Sequence, residues 1–273
     1  MAQLQLPLAA YQLSNAQLSE EQYLVYLLEK RCMARLGFQF LPGLTSNYDA
    51  AGTRILDEFD SRVWGVSDPT VVRQYGYHLP AWVQGSARPQ SIGSLPAAAR
   101  LALTGEVTQG GGAASASASG GAAGIPKGGC AQQAAQQITA RLGRSVGTTP
   151  PLIAQINDES FARARSDPRT LAVFSKWSAC MTAHGYSYSN PFQPAAAVNQ
   201  SAPPSQAEIQ TAMTDVACKR KTNLLGITYA VQSDYQNELI DKYAPELAGI
   251  KAQAKRQAGV IASLVAKTGS GGS

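Results

Sequence analysis

The feature that most constrains this 273-residue chain is a signature that occurs twice. Cys32-Met33-Ala34-Arg35-Leu36-Gly37-Phe38-Gln39-Phe40 aligns with Cys180-Met181-Thr182-Ala183-His184-Gly185-Tyr186-Ser187-Tyr188, with the shared pattern C-M-x-x-x-G-aromatic-x-aromatic. The spacing suits a helix that carries cysteine near its last turn and stops at a C′ glycine, because glycine tolerates the left-handed conformation that ends a helix. The chain then leaves in an extended form, with alternating aromatic residues on one face. Each copy is followed by one further cysteine, Cys130 at the start of a helix-like stretch and Cys218 inside one. These are all the cysteines, and none forms the C-x-x-C pair of a zinc site. The repeat favours Cys32–Cys130 and Cys180–Cys218 over other pairings and over four unrelated buried thiols. In the chain-entropy description, closing loops of this length contributes roughly 4 to 5 kcal/mol each. Two disulfides imply an oxidising compartment.

The rest of the chain reads as helix. Ser19-Glu20-Glu21-Gln22 has the form of a capping box and predicts a first helix, on which Leu24, Leu28, Cys32 and Leu36 make an i, i+4 stripe that ends at Gly37. A mixed segment runs from Leu41 to Leu103. Within it, Asp68-Pro69 predicts an N-cap followed by proline at N1, opening a short helix that Gly76 closes. Ser94-Leu95-Pro96 predicts another through Ala97 to Leu103. Residues 110–124, GGGAASASASGGAAG, bury too little to offset ordering entropy and read as a flexible loop inside the first module. Helices are expected at Ala131 to Leu142, at Leu152 to Arg165, and from the Asp167-Pro168 cap through Phe174, Trp177, Cys180 and Met181 to Gly185. A Pro/Ala/Gln linker spans Asn190 to Pro204. Ser205-Gln206-Ala207-Glu208 is a second capping box, and the stripe Ile209, Met213, Val216, Leu224, Ile227, Val231, Tyr235 and Leu239 predicts one long helix over 206–243. Pro245 ends or kinks it before a polar helix from Glu246 to Lys267. No strand pattern occurs. The expected fold is mostly α: two disulfide-closed helical modules, residues 1–149 with the loop-rich aromatic insertion and residues 150–268 with the long helix and a C-terminal helix. Residues 269–273, GSGGS, read as an engineered flexible linker.

Composition narrows the function classes. Charged residues are 15% of the chain, against roughly 25% in ordinary globular proteins. A net charge of +5 spread over this length is too dilute for a nucleic-acid binder. No apolar run approaches the length of a membrane span. The start, Met1-Ala2, lacks the basic and apolar regions of a signal peptide. A signal peptide or lipid anchor trimmed from the N-terminus is compatible with this reading, so the membrane enters only through such an anchor.

Several motifs invite chemistry. Gly143-Arg144-Ser145-Val146-Gly147 matches G-x-S-x-G, but a nucleophile elbow needs a strand before the serine, and a helical stretch precedes this one. His78 and His184 are the only histidines, so His-rich metal sites are excluded. His184 is expected in a last helical turn, where an imidazolium interacts favourably with the helix dipole. A soft-metal site from Met33, Met181 and the histidines has no spacing to support it, so no metal or cofactor is expected. Lys219-Arg220-Lys221 covers most of a helical turn and reads as a solvated face. The densest aromatic segment runs from Trp64 through Tyr75, Gly76, Tyr77 and His78 to Trp82, mixing rings with turn residues. Its bland reading is a cover over a small core. Its functional reading is a binding surface made by Trp64, Tyr75, Tyr77, His78 and Trp82, since loops on rigid scaffolds carry recognition. The helix over 206–243 is a second surface for a partner helix.

The duplicated C-M-x-x-x-G-aromatic signature, with Val216-Ala217-Cys218-Lys219 and Tyr75-Gly76-Tyr77-His78, resembles a family of exported proteins and lipoproteins of actinobacteria. The resemblance covers most of the chain outside the Gly/Ala/Ser loop. It implies an envelope location and two disulfides, and carries no activity with it. The expected function is a non-enzymatic extracytoplasmic binding or scaffold protein of the cell envelope that recognises a protein, peptide or wall glycan. The alternative is a serine hydrolase using Ser145.

Overall fold

The computed structural model describes residues 4–38, 48–80, 83, 95–106 and 124–269. Residues 110–123 of the loop expected at 110–124, and 270–273 of the linker expected at 269–273, lie outside them, whereas Gly269 ends the last helix. Among the described residues, a 3-10 turn at Pro7–Tyr11 is followed by α1 (Asn15–Arg35), α2 (Tyr48–Ser61), α3 (Pro69–Tyr75), α4 (Ala97–Thr104), α5 (Gly129–Leu142), α6 (Pro151–Ser166), α7 (Pro168–Ala183), α8 (Gln193–Ala196), α9 (Gln206–Thr222), α10 (Leu224–Lys242) and α11 (Ala244–Gly269). Among the described residues there is no strand.

Both expected disulfides are present. Cys32 pairs with Cys130 and Cys180 with Cys218, their Cα atoms 5.6 and 5.7 Å apart. The repeated signature is a matched pair of helix ends. Gly37 and Gly185 are both left-handed, at φ +81° and +85°. Their amides donate to Ala34 O and Thr182 O, and the next amides, of Phe38 and Tyr186, donate to Met33 O and Met181 O at 3.0 Å. This is a Schellman motif, in which the residue after the glycine also packs on the residue three before the cap. Phe38 packs on the cluster holding Met33, and Tyr186 on the cluster holding Met181. Methionine and aromatic ring are therefore the apolar contact of one helix-stop device, used twice.

Local caps explain several helix boundaries. Asp68 and Asp167 each accept from the amide two residues on, with proline at N1 of α3 and α7. The first capping box is a correction. Ser14, not Ser19, caps α1: its Oγ accepts from Gln17 N and its own amide donates to Gln17 Oε1. Leu13 and Leu18 join one cluster as the hydrophobic staple that accompanies such a cap. Ser19 is buried inside the helix and donates to Asn15 O.

The single helix expected over 206–243 is two helices. Asn223 adopts φ +53°, ψ +36°, at once capping the end of α9 and starting α10. Asparagine is the side chain that best tolerates this left-handed region after glycine. Pro245 falls in the first turn of α11, where its missing N–H leaves no intrahelical bond unmade.

The chain forms two compact units, each discontinuous in sequence. The first comprises Met1–Gln12, Arg54–Gln84 and Thr149–Ala252; the second comprises Leu13–Thr53, Gly85–Thr148 and Gln253–Ser273. This differs from a sequential division at 149/150, because residues 54–84 pack with the helices that follow residue 149. In the first unit α6, α7, α9 and α10 enclose a core of Trp64, Ala164, Val173, Phe174, Trp177, Met181, Cys218, Leu224 and Val231. In the second, α1, α4 and α5 meet around Tyr26, Cys32, Met33, Ala102, Leu103 and Cys130. Each unit holds one disulfide. No helix among the described residues is long and apolar enough to cross a membrane.

Candidate functional site

Of the five residues expected to make an aromatic surface, Trp82 lies outside the described residues. Tyr75 is half-buried, whereas Trp64, Tyr77 and His78 are buried, Trp64 completely. Each buried side chain has a protein partner in the first unit. The Trp64 ring lies 4.9 Å from Phe161, 6.1 Å from Phe192 and 6.3 Å from Phe174, centroid to centroid. Its Nε1 donates to Gln232 Oε1 at 3.0 Å. Trp64 and Tyr77 thus belong to core clusters of the first unit and not to an aromatic surface.

The turn that follows α3 is held by Glu208 in the first turn of α9. Ser205 Oγ accepts from Glu208 N, as in a capping box. The Glu208 carboxylate does not complete that box. Its Oε1 accepts from Tyr77 N at 2.8 Å, and its Oε2 lies 3.2 Å from His78 Nε2.

Two turns further along α9 lies a buried polar cluster of the first unit. Asp215 Oδ1 accepts from Trp177 Nε1 at 2.9 Å; Oδ2 accepts from Lys219 Nζ at 3.0 Å and from Tyr77 OH at 3.3 Å. Lys219 Nζ also donates to Val66 O at 2.9 Å. The Asp215 and Lys219 side chains are 0% and 1% exposed. Burial raises the Asp215 carboxyl and lowers the Lys219 ammonium from their ordinary values, while their mutual attraction opposes both effects. Burial, followed by the Asp215 charge, pushes the Tyr77 phenol far above its usual range. The basic run 219–221 is thus not uniformly solvated: Arg220 and Lys221 are exposed, but Lys219 points into the core. The available signal was an Asp–Lys pair at i, i+4 on the same helical stripe as Ala212 and Val216.

Ser145 is exposed in a turn after α5, which is capped by Gly143. A helix precedes it where a nucleophile elbow has a strand. The neighbouring Arg144 does the structural work of the motif: NH2 and NH1 donate to the two Glu21 carboxylate oxygens at 2.7 and 3.1 Å. Glu21 is fully buried and also accepts from Gly147 N. His78 and His184 both belong to the other compact unit. His184 is the C-cap of α7, and its ring nitrogen and the sulfurs of Cys180 and Cys218 lie within 4.8 Å of one another. Both sulfurs are committed to their disulfide.

An open cleft of about 240 Å³ lies in the second unit, lined by Leu28, Arg31 and Arg35 of α1 and Gln137 of α5. Arg31 and Arg35 are one helical turn apart and exposed, and Arg35 NH2 donates to Gln133 Oε1 at 3.3 Å. The Cys32–Cys130 bond joins the two helices beside it. Two guanidinium groups, an amide and an aliphatic floor form a surface suited to a carboxylate or other oxyanion. Sequence reasoning missed it because Arg31 and Arg35 face Gln137 only through the packing of α1 on α5. Comparison with protein-family models, curated proteins and solved structures returns no match.

Proposed function

We propose that the chain is a non-enzymatic extracytoplasmic binding or scaffold protein of the bacterial cell envelope. It recognises a carboxylate-bearing partner (a protein, peptide or wall glycan) through the Leu28–Arg31–Arg35–Gln137 cleft. The observation that carries this reading is the pair of exposed arginines one turn apart on helices clamped by a disulfide. A rigid support lowers the ordering cost of binding, and guanidinium groups pair with carboxylates in a fixed fork geometry. The two disulfides fit an oxidising extracytoplasmic environment, and the resemblance to exported actinobacterial proteins supports the envelope. The test is binding of a fluorescent Glu-rich peptide, its Gln-for-Glu counterpart and solubilised wall glycan. The acidic peptide or the glycan binds with an affinity that falls with salt, and the Arg31→Ala/Arg35→Ala double variant binds about tenfold more weakly, equal to roughly 1.4 kcal/mol. Equal binding of the neutral peptide, or of the double variant, overturns the assignment.

A further inference from the structure

The proposed binding function leaves one buried reactive pair unused. Lys219 and Asp215 face each other one turn apart on α9, shielded from water and surrounded by directed hydrogen bonds. Side chains of this length at i, i+4 reach one another along a helix face. Three neighbours are arranged as condensation chemistry requires. Trp177 Nε1 donates to Asp215 Oδ1, where negative charge develops if a nucleophile adds to the carboxyl carbon. Tyr77 OH donates to Oδ2, the oxygen that would leave. The Val66 carbonyl takes one Lys219 N–H and so orients the nitrogen. Room for this approach exists because residue 65 is glycine: a Cβ there would lie 2.7 Å from Lys219 Nζ.

We propose that Lys219 Nζ and Asp215 Cγ condense to an intramolecular isopeptide bond with release of one water. In the first step a proton moves along the Nζ–Oδ2 hydrogen bond, converting ammonium and carboxylate into amine and carboxylic acid. The dry interior favours this neutral pair over the charged one. The amine lone pair then forms the N–C bond at Cγ, and the oxyanion at Oδ1 is held by Trp177. A second Nζ proton passes to Oδ2 through the Tyr77 hydroxyl, which donates its own proton and takes that one back. The C–Oδ2 bond breaks and water leaves. One amine and one carboxylic acid become one amide and one water, with no oxidant, reductant or cofactor. The product closes a covalent ring within α9, between residues one turn apart, and leaves an amide N–H to donate to the Val66 carbonyl.

Intact-mass measurement of the fully reduced, denatured wild-type chain tests this directly. The expected mass is below the sequence mass by one water, with no tryptic cleavage after Lys219 and no backbone fragments between Asp215 and Lys219. Asp215→Asn reaches the same final mass as the wild type, because the amide condenses with loss of ammonia. Lys219→Met shows its full sequence mass. Tyr77→Phe, which keeps the ring and removes the proton relay, retains an uncondensed fraction. A wild-type chain at full sequence mass that trypsin cleaves after Lys219 overturns the proposal, whatever the folding of the variants.

Discussion

Glu208 Oε1 accepts a 2.8 Å hydrogen bond from the backbone nitrogen of Tyr77, 131 positions earlier in the chain. The same carboxylate meets His78 Nε2, so one side chain holds the end of the aromatic segment against α9. Bonds to a charged acceptor at a largely buried position are worth more than neutral ones, and a donor left behind without its acceptor costs more still. Glu208→Ala is expected to cost about 2 to 3 kcal/mol in urea or thermal unfolding. Glu208→Gln, which keeps an acceptor oxygen for Tyr77 N, recovers part of that. Equal stability of the wild type and Glu208→Ala would show that the contact contributes nothing.

Tyr77 also predicts an alkaline weakness. Burial raises its phenol in the folded state, so the folded chain holds that proton more tightly than the unfolded chain. The stabilisation is complete below the unfolded value of about 10 and declines as pH rises through the interval above it. Thermal melts from neutral to strongly alkaline pH should show the wild type losing stability above about pH 10, with a shallower decline in Tyr77→Phe. Parallel declines would remove Tyr77 as the cause.

Within the G-x-S-x-G match, Arg144 is tied to a buried carboxylate and Ser145 is exposed. Arg144→Ala leaves the buried Glu21 carboxylate without its cation, and breaking a buried pair in this way costs about 3 to 5 kcal/mol. Ser145→Ala, at an exposed turn position, is expected within about 0.5 kcal/mol of wild type. A serine-directed fluorophosphonate probe is expected to leave Ser145 unlabelled; labelling there would revive the hydrolase alternative.

Both disulfides are expected to resist alkylation. The native chain should show no thiol reactive to iodoacetamide, and four after reduction under denaturing conditions. In the chain-entropy description, the sequence separations of 98 and 38 correspond to about 5 and about 4 kcal/mol. Reduction should therefore lower the melting temperature of both compact units. Free thiols in the native chain would defeat the argument for an oxidising compartment.

Much of the fold was legible because its signals are local. The Asp68-Pro69 and Asp167-Pro168 caps, the Gly37 and Gly185 stops and the pairing of four cysteines all follow from residues a few positions apart or from the repeat itself. Errors arose where two local signals compete. Ser14 and Ser19 both begin an S-x-x-Q pattern with an apolar residue before it and another five positions on, and only the fold shows that Ser14 is the cap. Asn223 sits just after the one gap in the apolar stripe, at Arg220, and the periodicity that resumes at Leu224 concealed the break between α9 and α10. The candidate site was far less legible. The aromatic density around Trp64 and Tyr77 was visible, but not that Gln232, Asp215 and Glu208 receive those side chains and their backbone inside the first unit.

By itself the sequence determined an all-helical chain closed by Cys32–Cys130 and Cys180–Cys218, because caps, helix-stopping glycines and a duplicated signature act through short-range backbone geometry. Only the tertiary structure decided that residues 54–84 join the helices after residue 149, that Lys219 turns inward to Asp215 while Arg220 and Lys221 stay in water, and that Arg31 and Arg35 share a cleft with Gln137. Those outcomes depend on which groups meet across distant stretches of chain. Burying a lysine nitrogen is tolerable only when a carboxyl group and a carbonyl arrive at the same place, and their arrival is a property of the folded packing.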